Sequence, residues 1–142
     1  MKWKEYHYSG QWGKDGVVAY RPLIQVEVSR NGSDTLIPII GLIDSGTDGI
    51  LFDIEVAKIL GIDANKGQKV KVGGVGEKEG FRCQINLSIP DFKVSIDASA
   101  IFTEDLPFSC LLGQREFFEK FHIRFEKNRN RFYLAIPRKK KR

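Results

Sequence analysis

The sequence predicts an all-β domain, barrel-like or sandwich-like, with one or two short helices. Apolar and polar residues alternate in several short segments, for example residues 24–28 and 85–89, and a period of two is typical of a strand with one buried face. Turn residues separate these segments at close intervals, among them Asn31-Gly32 and Pro90-Asp91. Many short strands joined by tight turns are typical of β-barrels and β-sandwiches.

Length and composition fit one packed domain. The chain has 142 residues, 42% of them hydrophobic, which is enough for a single core. We expect that domain over residues 17–137, after an N-terminal arm over residues 1–16 that shows no steady period. Residues 138–142, Arg-Lys-Lys-Lys-Arg, form a basic tail whose five positive charges equal the net charge of +5 of the whole chain. Such a run is typical of a solvated tail, so nucleic acid is not an expected partner.

Compartment and cofactors are predicted from what the sequence lacks. Apolar runs stay below the roughly 18 residues of a membrane span, and the N-terminus has no signal-peptide core. Cys83 and Cys110 lie far apart without a CxxC pair, which favours reduced thiols over a disulfide framework or a metal knuckle. We therefore expect a cytoplasmic protein with no membrane partner, no metal and no other cofactor.

The predicted strands of the N-terminal half lead to a polar segment. Residues 17–20 and 23–28 are predicted strands, and Asn31-Gly32 supplies the turn after them. Residues 36–43 form the return strand and are almost wholly apolar, as in a strand covered on both faces. This strand ends at Asp44.

The first predicted helix lies just beyond this point. Asp53 has the position of an N-cap for a helix over residues 54–60, and Gly61 that of its stop. Residues 69–81 follow as a predicted hairpin in which Val70 and Val72 alternate with lysines. Glycines loosen its tip.

The C-terminal half predicts further strands and a second helix. Strands are expected over residues 85–89 and 94–96, and a second apolar stretch over residues 110–112 ends in Gly113. Residues 116–121 have the spacing of a short amphipathic helix. A terminal hairpin is expected from residues 122–125 and 131–134.

Asp44 is the leading catalytic candidate. Within Asp44-Ser45-Gly46, which follows the apolar strand, the carboxylate would lie in a tight turn at the strand's end. Gly46 lets the backbone approach its neighbours, and the hydroxyls of Ser45 and Thr47 can hold the carboxylate in place.

The order and spacing of four segments resemble the retropepsin family, the dimeric aspartic proteases of retroviruses and their cellular and bacterial relatives. The segments are residues 21–24 (RPLI), similar to the entering strand, 42–48 (LIDSGTD), similar to the catalytic segment, 73–76 (GGVG), similar to the flap, and 110–113 (CLLG), similar to the segment before the C-terminal helix. The likeness spans about residues 21–134.

This resemblance implies a closed retropepsin-like barrel or sandwich with a flap hairpin, and aspartic endopeptidase activity. Asp44 would be catalytic, Ser45, Gly46 and Thr47 its supporting turn, and Asp48 a contact for the main chain of a peptide or protein substrate. The flap residues Gly73, Gly74, Val75 and Gly76 would close over that substrate. A role of Asp48 as a cap of the turn remains an equal alternative.

Hydrolysis of this type needs two facing carboxylates that share one proton. The chain contains one Asp-Ser/Thr-Gly tripeptide, so the second carboxylate should come from Asp44 of a two-fold-related copy. We therefore expect a homodimer. Gln114 directly after Gly113, the long arm and the terminal hairpin depart from viral members. The arm and the hairpin leave the dimer interface open. The alternative function is a catalytically silent, dimeric peptide-binding or scaffold domain of the same fold.

Overall fold

The computed structural model of the chain describes residues 1–73 and 78–138. Its strands are β1 (Lys4–His7), β2 (Ser9–Trp12), β3 (Val18–Arg21), β4 (Leu23–Arg30), β5 (Ile37–Ile43), β6 (Ile50–Asp53), β7 (Gln68–Val72), β8 (Lys78–Ser88), β9 (Ser95–Thr103), β10 (Cys110–Leu112), β11 (His122–Glu126) and β12 (Arg131–Ala135). The helix α1 is Ile54–Leu60, and short 3₁₀ turns lie at Ala64–Lys66 and Lys127–Arg129. The predicted all-β class is confirmed.

A closed ring of strands forms the body of the molecule. The strand order is β4-β5-β10-β6-β9-β8-β7, and residues 27–30 of β4 also pair with residues 85–88 of β8. The first six strands therefore close on themselves, and β7 is attached to the ring through β8. β10 runs parallel to β5 and β6 runs parallel to β9, while the other pairs of this sheet are antiparallel. The closed barrel that the sequence analysis predicts is confirmed.

The alternation along each strand fills the ring with apolar side chains. Ile24, Val26 and Val28 of β4 are all buried, as their period of two requires. Phe52 and Phe102 face each other across the parallel β6–β9 pair, and their rings stack with centroids 5.2 Å apart. Each such fully buried aromatic side chain stabilises the fold by about 1.5–3 kcal/mol.

The first predicted helix has the expected bounds and caps. The Asp53 carboxylate accepts a hydrogen bond from the Glu55 N–H over 3.2 Å, which satisfies one of the free donors of the first turn. Gly61 ends the helix in the left-handed conformation, with φ 73°. Val56 and Leu60 are buried against the barrel.

The second predicted helix, over residues 116–121, is present as a short helical segment over residues 114–120, but it starts earlier than expected and is irregular. Its first part is a distorted π-helical turn at Gln114–Phe118 in which Arg115 is extended and Glu116 has φ 73°. Two contacts of Glu116 explain the distortion: its carboxylate accepts the N–H of Ser99, and its own N–H donates to the Glu119 carboxylate over 2.7 Å. Tertiary hydrogen bonds therefore override the local helical pattern.

The terminal segments form two smaller sheets. β1 and β11 flank β12 in a three-stranded antiparallel sheet, so the predicted C-terminal hairpin is confirmed. β2 and β3 pair as a separate hairpin. The division of the chain at residue 16 stays a prediction, and residues 139–142 of the basic tail lie outside the described residues. Within the described part of the chain, no helix is long and apolar enough to cross a membrane.

Candidate active site

Asp44 directly follows the end of β5, which lies between β4 and β10 in the ring. The Ile43 N–H donates to the carbonyl oxygen of Pro22 over 3.0 Å, and the Asp44 N–H donates to that of Leu112 over 2.9 Å. A further hydrogen bond, from Thr47 N–H to the Asp44 carbonyl oxygen, closes the turn that follows. Both sides of the Asp44 backbone are thereby fixed by the barrel.

Each carboxylate oxygen of Asp44 accepts one hydrogen bond from its own turn. The Gly46 N–H donates to Oδ1 over 2.9 Å, and the Thr47 hydroxyl donates to Oδ2 over 2.8 Å. Of the two hydroxyls expected near the carboxylate, that of Thr47 therefore reaches it. Ser45 is exposed and contributes its carbonyl oxygen, which accepts from the Gln114 side-chain amide over 2.7 Å.

The segment after β10 is hydrogen-bonded to the backbone of the Asp44 turn. The Gln114 N–H donates to the Thr47 carbonyl oxygen, and the Arg115 N–H donates to that of Asp48, each over 2.8 Å. Gly113 makes this approach possible, because a Cβ there would meet the carbonyl oxygens of Thr47 and Gly49. Gln114 was not among the predicted site residues. Gly113 after two leucines was a signal for close packing, but no local pattern points to the Gln114 side chain.

Asp48 lies beside the turn with an exposed carboxylate. That carboxylate makes no hydrogen bond or ion pair with the part of the chain that the structure describes. Asp48 lines a cavity of about 330 Å³ between the Asp44 turn and the β7–β8 hairpin. Gly73 lines the same cavity, whereas Gly74, Val75 and Gly76 lie outside the described residues.

The cavity beside the turn is rich in charge. Its lining includes the cationic residues Lys71, Arg82 and Arg115 and the acidic residues Asp48 and Glu116. A larger cavity, of about 660 Å³, lies beside α1 and shares no residue with the Asp44 turn. Size alone therefore does not identify the site, and we base the assignment on the hydrogen bonds around Asp44.

Two thiols lie near these elements, and neither is activated. Cys110 of β10 is fully buried next to β5, and burial raises its thiol pKa far above the usual range. Partial burial, and to a lesser degree the negative charge of Asp63, raise the pKa of Cys83. Nucleophilic cysteine chemistry requires a lowered pKa, so these thiols do not fit that role. Among residues 1–73 and 78–138, no three His, Cys, Asp or Glu side chains converge as metal ligands would.

Comparison with known proteins gives structural relatives only. No family model matches the sequence, and no curated protein matches it. Among solved structures, a retropepsin-like aspartic protease from Rickettsia conorii is similar, with a TM-score of 0.61, 19% identity, and coverage of 94% of this chain and 91% of that one. EIAV protease in complex with an inhibitor is also similar, with a TM-score of 0.50, 25% identity, and coverage of 66% and 81%.

The similarity to the Rickettsia protein extends over nearly the whole length of both chains. At this level of identity the likeness establishes architecture, and the conclusion is that this chain has the retropepsin-like fold.

Proposed function

We propose that the protein is a homodimeric aspartic endopeptidase in which Asp44 of each copy supplies one catalytic carboxylate. The observation that carries the proposal is the pair of hydrogen bonds to Asp44, one on each oxygen, from Gly46 and Thr47. Such bonds orient a carboxylate before substrate arrives, which is how active sites avoid reorganisation during the reaction. Both similar structures are of proteases, one of them described as aspartic, which supports the assignment.

The chemistry follows from two carboxylates that share one proton. The ionised carboxylate takes a proton from a water molecule, whose oxygen attacks the peptide carbonyl carbon, while the protonated one gives its proton to the carbonyl oxygen. The tetrahedral intermediate collapses when the C–N bond breaks: the leaving nitrogen receives a proton from the dyad, and one hydroxyl of the intermediate gives its proton back to the dyad as the new carboxyl group forms. Two close carboxylates resist double ionisation, so we expect the fastest cleavage at acidic to mildly acidic pH.

The second carboxylate requires a second copy. In the described part of the chain, the strand-end turn with a hydrogen-bonded carboxylate and a following Ser-Gly occurs at Asp44 alone. A two-fold axis beside this turn would bring two identical turns together, and two-fold dimers are the commonest symmetric assemblies.

The substrate would be an extended peptide between the Asp44 turn and the β7–β8 hairpin. β7 has one partner, β8, among the described strands, so its outer edge can pair with a peptide backbone. We propose that the Asp48 carboxylate accepts a main-chain N–H of the substrate. Gly73 and the hairpin tip, Gly74, Val75 and Gly76, would close over the peptide.

We further propose a cytoplasmic location, since Cys83 and Cys110 are both free thiols.

The test is cleavage of an unfolded protein, such as reduced casein, by Asp44→Asn. We expect activity to fall by at least about 10²–10⁴-fold, with the circular dichroism spectrum and the sedimentation coefficient unchanged. Asp34→Asn is the matched control, because Asp34 is an exposed carboxylate on the turn after β4 and should leave activity intact. Undiminished cleavage by Asp44→Asn would exclude the mechanism. Peptide binding without cleavage by the wild type would favour the scaffold alternative.

A further inference from the structure

Two arginine residues line the cavity beside the Asp44 turn, and neither has a carboxylate partner among residues 1–73 and 78–138. Arg82 is half-buried on β8, and its guanidinium makes one long hydrogen bond, 3.5 Å from Nη1 to the Ser99 hydroxyl. The Arg115 side chain makes neither a hydrogen bond nor an ion pair with the described residues. A guanidinium has five donors, so the described residues leave most of the donor capacity of both groups unused.

The carboxylates that share this cavity do not neutralise the two arginines. Both oxygens of Glu116 accept from the backbone N–H of Ser99, at 3.3 and 3.0 Å, so this carboxylate is already directed to the sheet. Asp48 forms no ion pair with either arginine.

The backbone holds both arginines at fixed positions. Arg82 stands opposite Ile101 in the β8–β9 ladder, and Arg115 is tied through its N–H to the Asp48 carbonyl oxygen. They approach the cavity from two different elements. A carboxylate between them could accept hydrogen bonds from both, and guanidinium groups suit that geometry because their donors form a planar fork.

We infer that this cavity binds an acidic side chain of the substrate, so that peptides with Glu or Asp near the scissile bond are cut in preference to others. This inference rests on the proposed function and adds a substrate class to it. Arg82 and Arg115 act as specificity-determining residues. They contact the substrate side chain, whereas the Asp44 pair contacts the scissile bond.

The test is a set of fluorogenic peptides derived from one unstructured parent with Gln at each of the four positions on either side of the bond. Each Gln is replaced in turn by Glu or by Lys. At one or more positions we expect Glu to raise kcat/KM about tenfold over Gln, as a charge-assisted hydrogen bond would, and Lys to lower it. In Arg82→Gln and Arg115→Gln the Glu-to-Gln ratio should fall towards one, and in Arg82→Glu the preference should shift towards Lys. Arg129→Gln, in the turn between β11 and β12, should keep the wild-type ratio.

Binding to Asp44→Asn separates this inference from the proposed function. Fluorescence anisotropy should show tighter binding of the Glu peptide than of the Gln peptide, with a difference that shrinks as salt rises and is lost when Arg82→Gln is added. Cleavage with equal kcat/KM for Glu, Gln and Lys at every position would overturn the inference alone. Glu-selective binding without any cleavage by the wild type would support the inference and overturn the proposed mechanism. If the wild type shows no cleavage and Asp44→Asn shows no selective binding, both the inference and the proposed function are overturned.

Discussion

The hydroxyl of Thr47 lies 2.8 Å from Oδ2 of Asp44 and donates a hydrogen bond to it. The two residues are three positions apart, and the bond spans the turn that the Thr47 N–H also closes on the Asp44 carbonyl oxygen. The orientation of the carboxylate is therefore set within a single chain, before a second copy or a substrate is present.

Thr47→Val should lower kcat by about ten- to a hundredfold with a smaller change in KM. Valine keeps the shape of threonine but removes the donor to Oδ2, and a hydrogen bond to a charged group contributes about 1.5–3 kcal/mol. Steady-state kinetics with a fluorogenic peptide gives the split between kcat and KM. Thr47→Ser keeps the hydroxyl and should recover most of the activity. An unchanged kcat in Thr47→Val would show that this bond does not support catalysis.

Mixing wild-type protein with an excess of Asp44→Asn should inhibit it. If each active site needs one Asp44 from each copy, an equal mixture contains about one quarter wild-type pairs, so activity per wild-type chain falls by about half. Larger excesses should lower it further, and simple dilution should lower it as pairs dissociate. Activity that follows the amount of wild-type chain alone, after subunit exchange, would show that each chain works independently.

Gly113→Ala should destabilise the protein by about 1–3 kcal/mol or more. The added methyl group would meet the backbone carbonyl oxygens of Thr47 and Gly49, which cannot move without disturbing the Asp44 turn. Urea unfolding followed by tryptophan fluorescence measures the loss. Gly49→Ala is the matched control, since a Cβ there has open space within 4 Å. Equal midpoints for the two variants would contradict the packing described for Gly113.

Cys83 and Cys110 should both react slowly with iodoacetamide at neutral pH, and Cys110 much more slowly than Cys83. The thiolate is the reactive form, and a raised pKa lowers its fraction at any given pH. The rate for Cys83 should therefore keep rising at pH values above those at which a free cysteine reaches its plateau. Mass spectrometry of peptides from pulse-labelled protein distinguishes the two sites, and labelling in urea gives the unprotected rates. Fast labelling of Cys110 in the native protein would contradict its burial beside β5.

Local sequence patterns predicted the elements whose determinants lie close together in the chain. The helix α1 is fixed by Asp53 and Gly61 at its two ends, and the bond from Thr47 to Asp44 spans three residues. Both could be read from a short window. The strand β6 could not be predicted in this way, because it has four residues between Gly49 and the helix, too few to show an alternation of apolar and polar side chains.

Elements that depend on distant partners were missed or wrong. β1 and β2 are short, polar and mostly exposed, and β1 pairs with β12 from the other end of the chain. Gln114 reaches Ser45 across 69 positions, and Glu116 is drawn out of a helix by Ser99. In each case a contact that forms only in the folded chain decides the local structure.

The closure of β4 on β8 gives each strand of the ring two partner strands. Strands at the edge of a sheet are the usual starting points of aggregation, and among the described strands of this sheet only β7 has a single partner. Its exposed positions include Lys69 and Lys71, and lysines at such positions discourage pairing between copies of a sheet. The strand at which we propose that the substrate pairs is thus also the strand whose lysines oppose edge-to-edge association of copies.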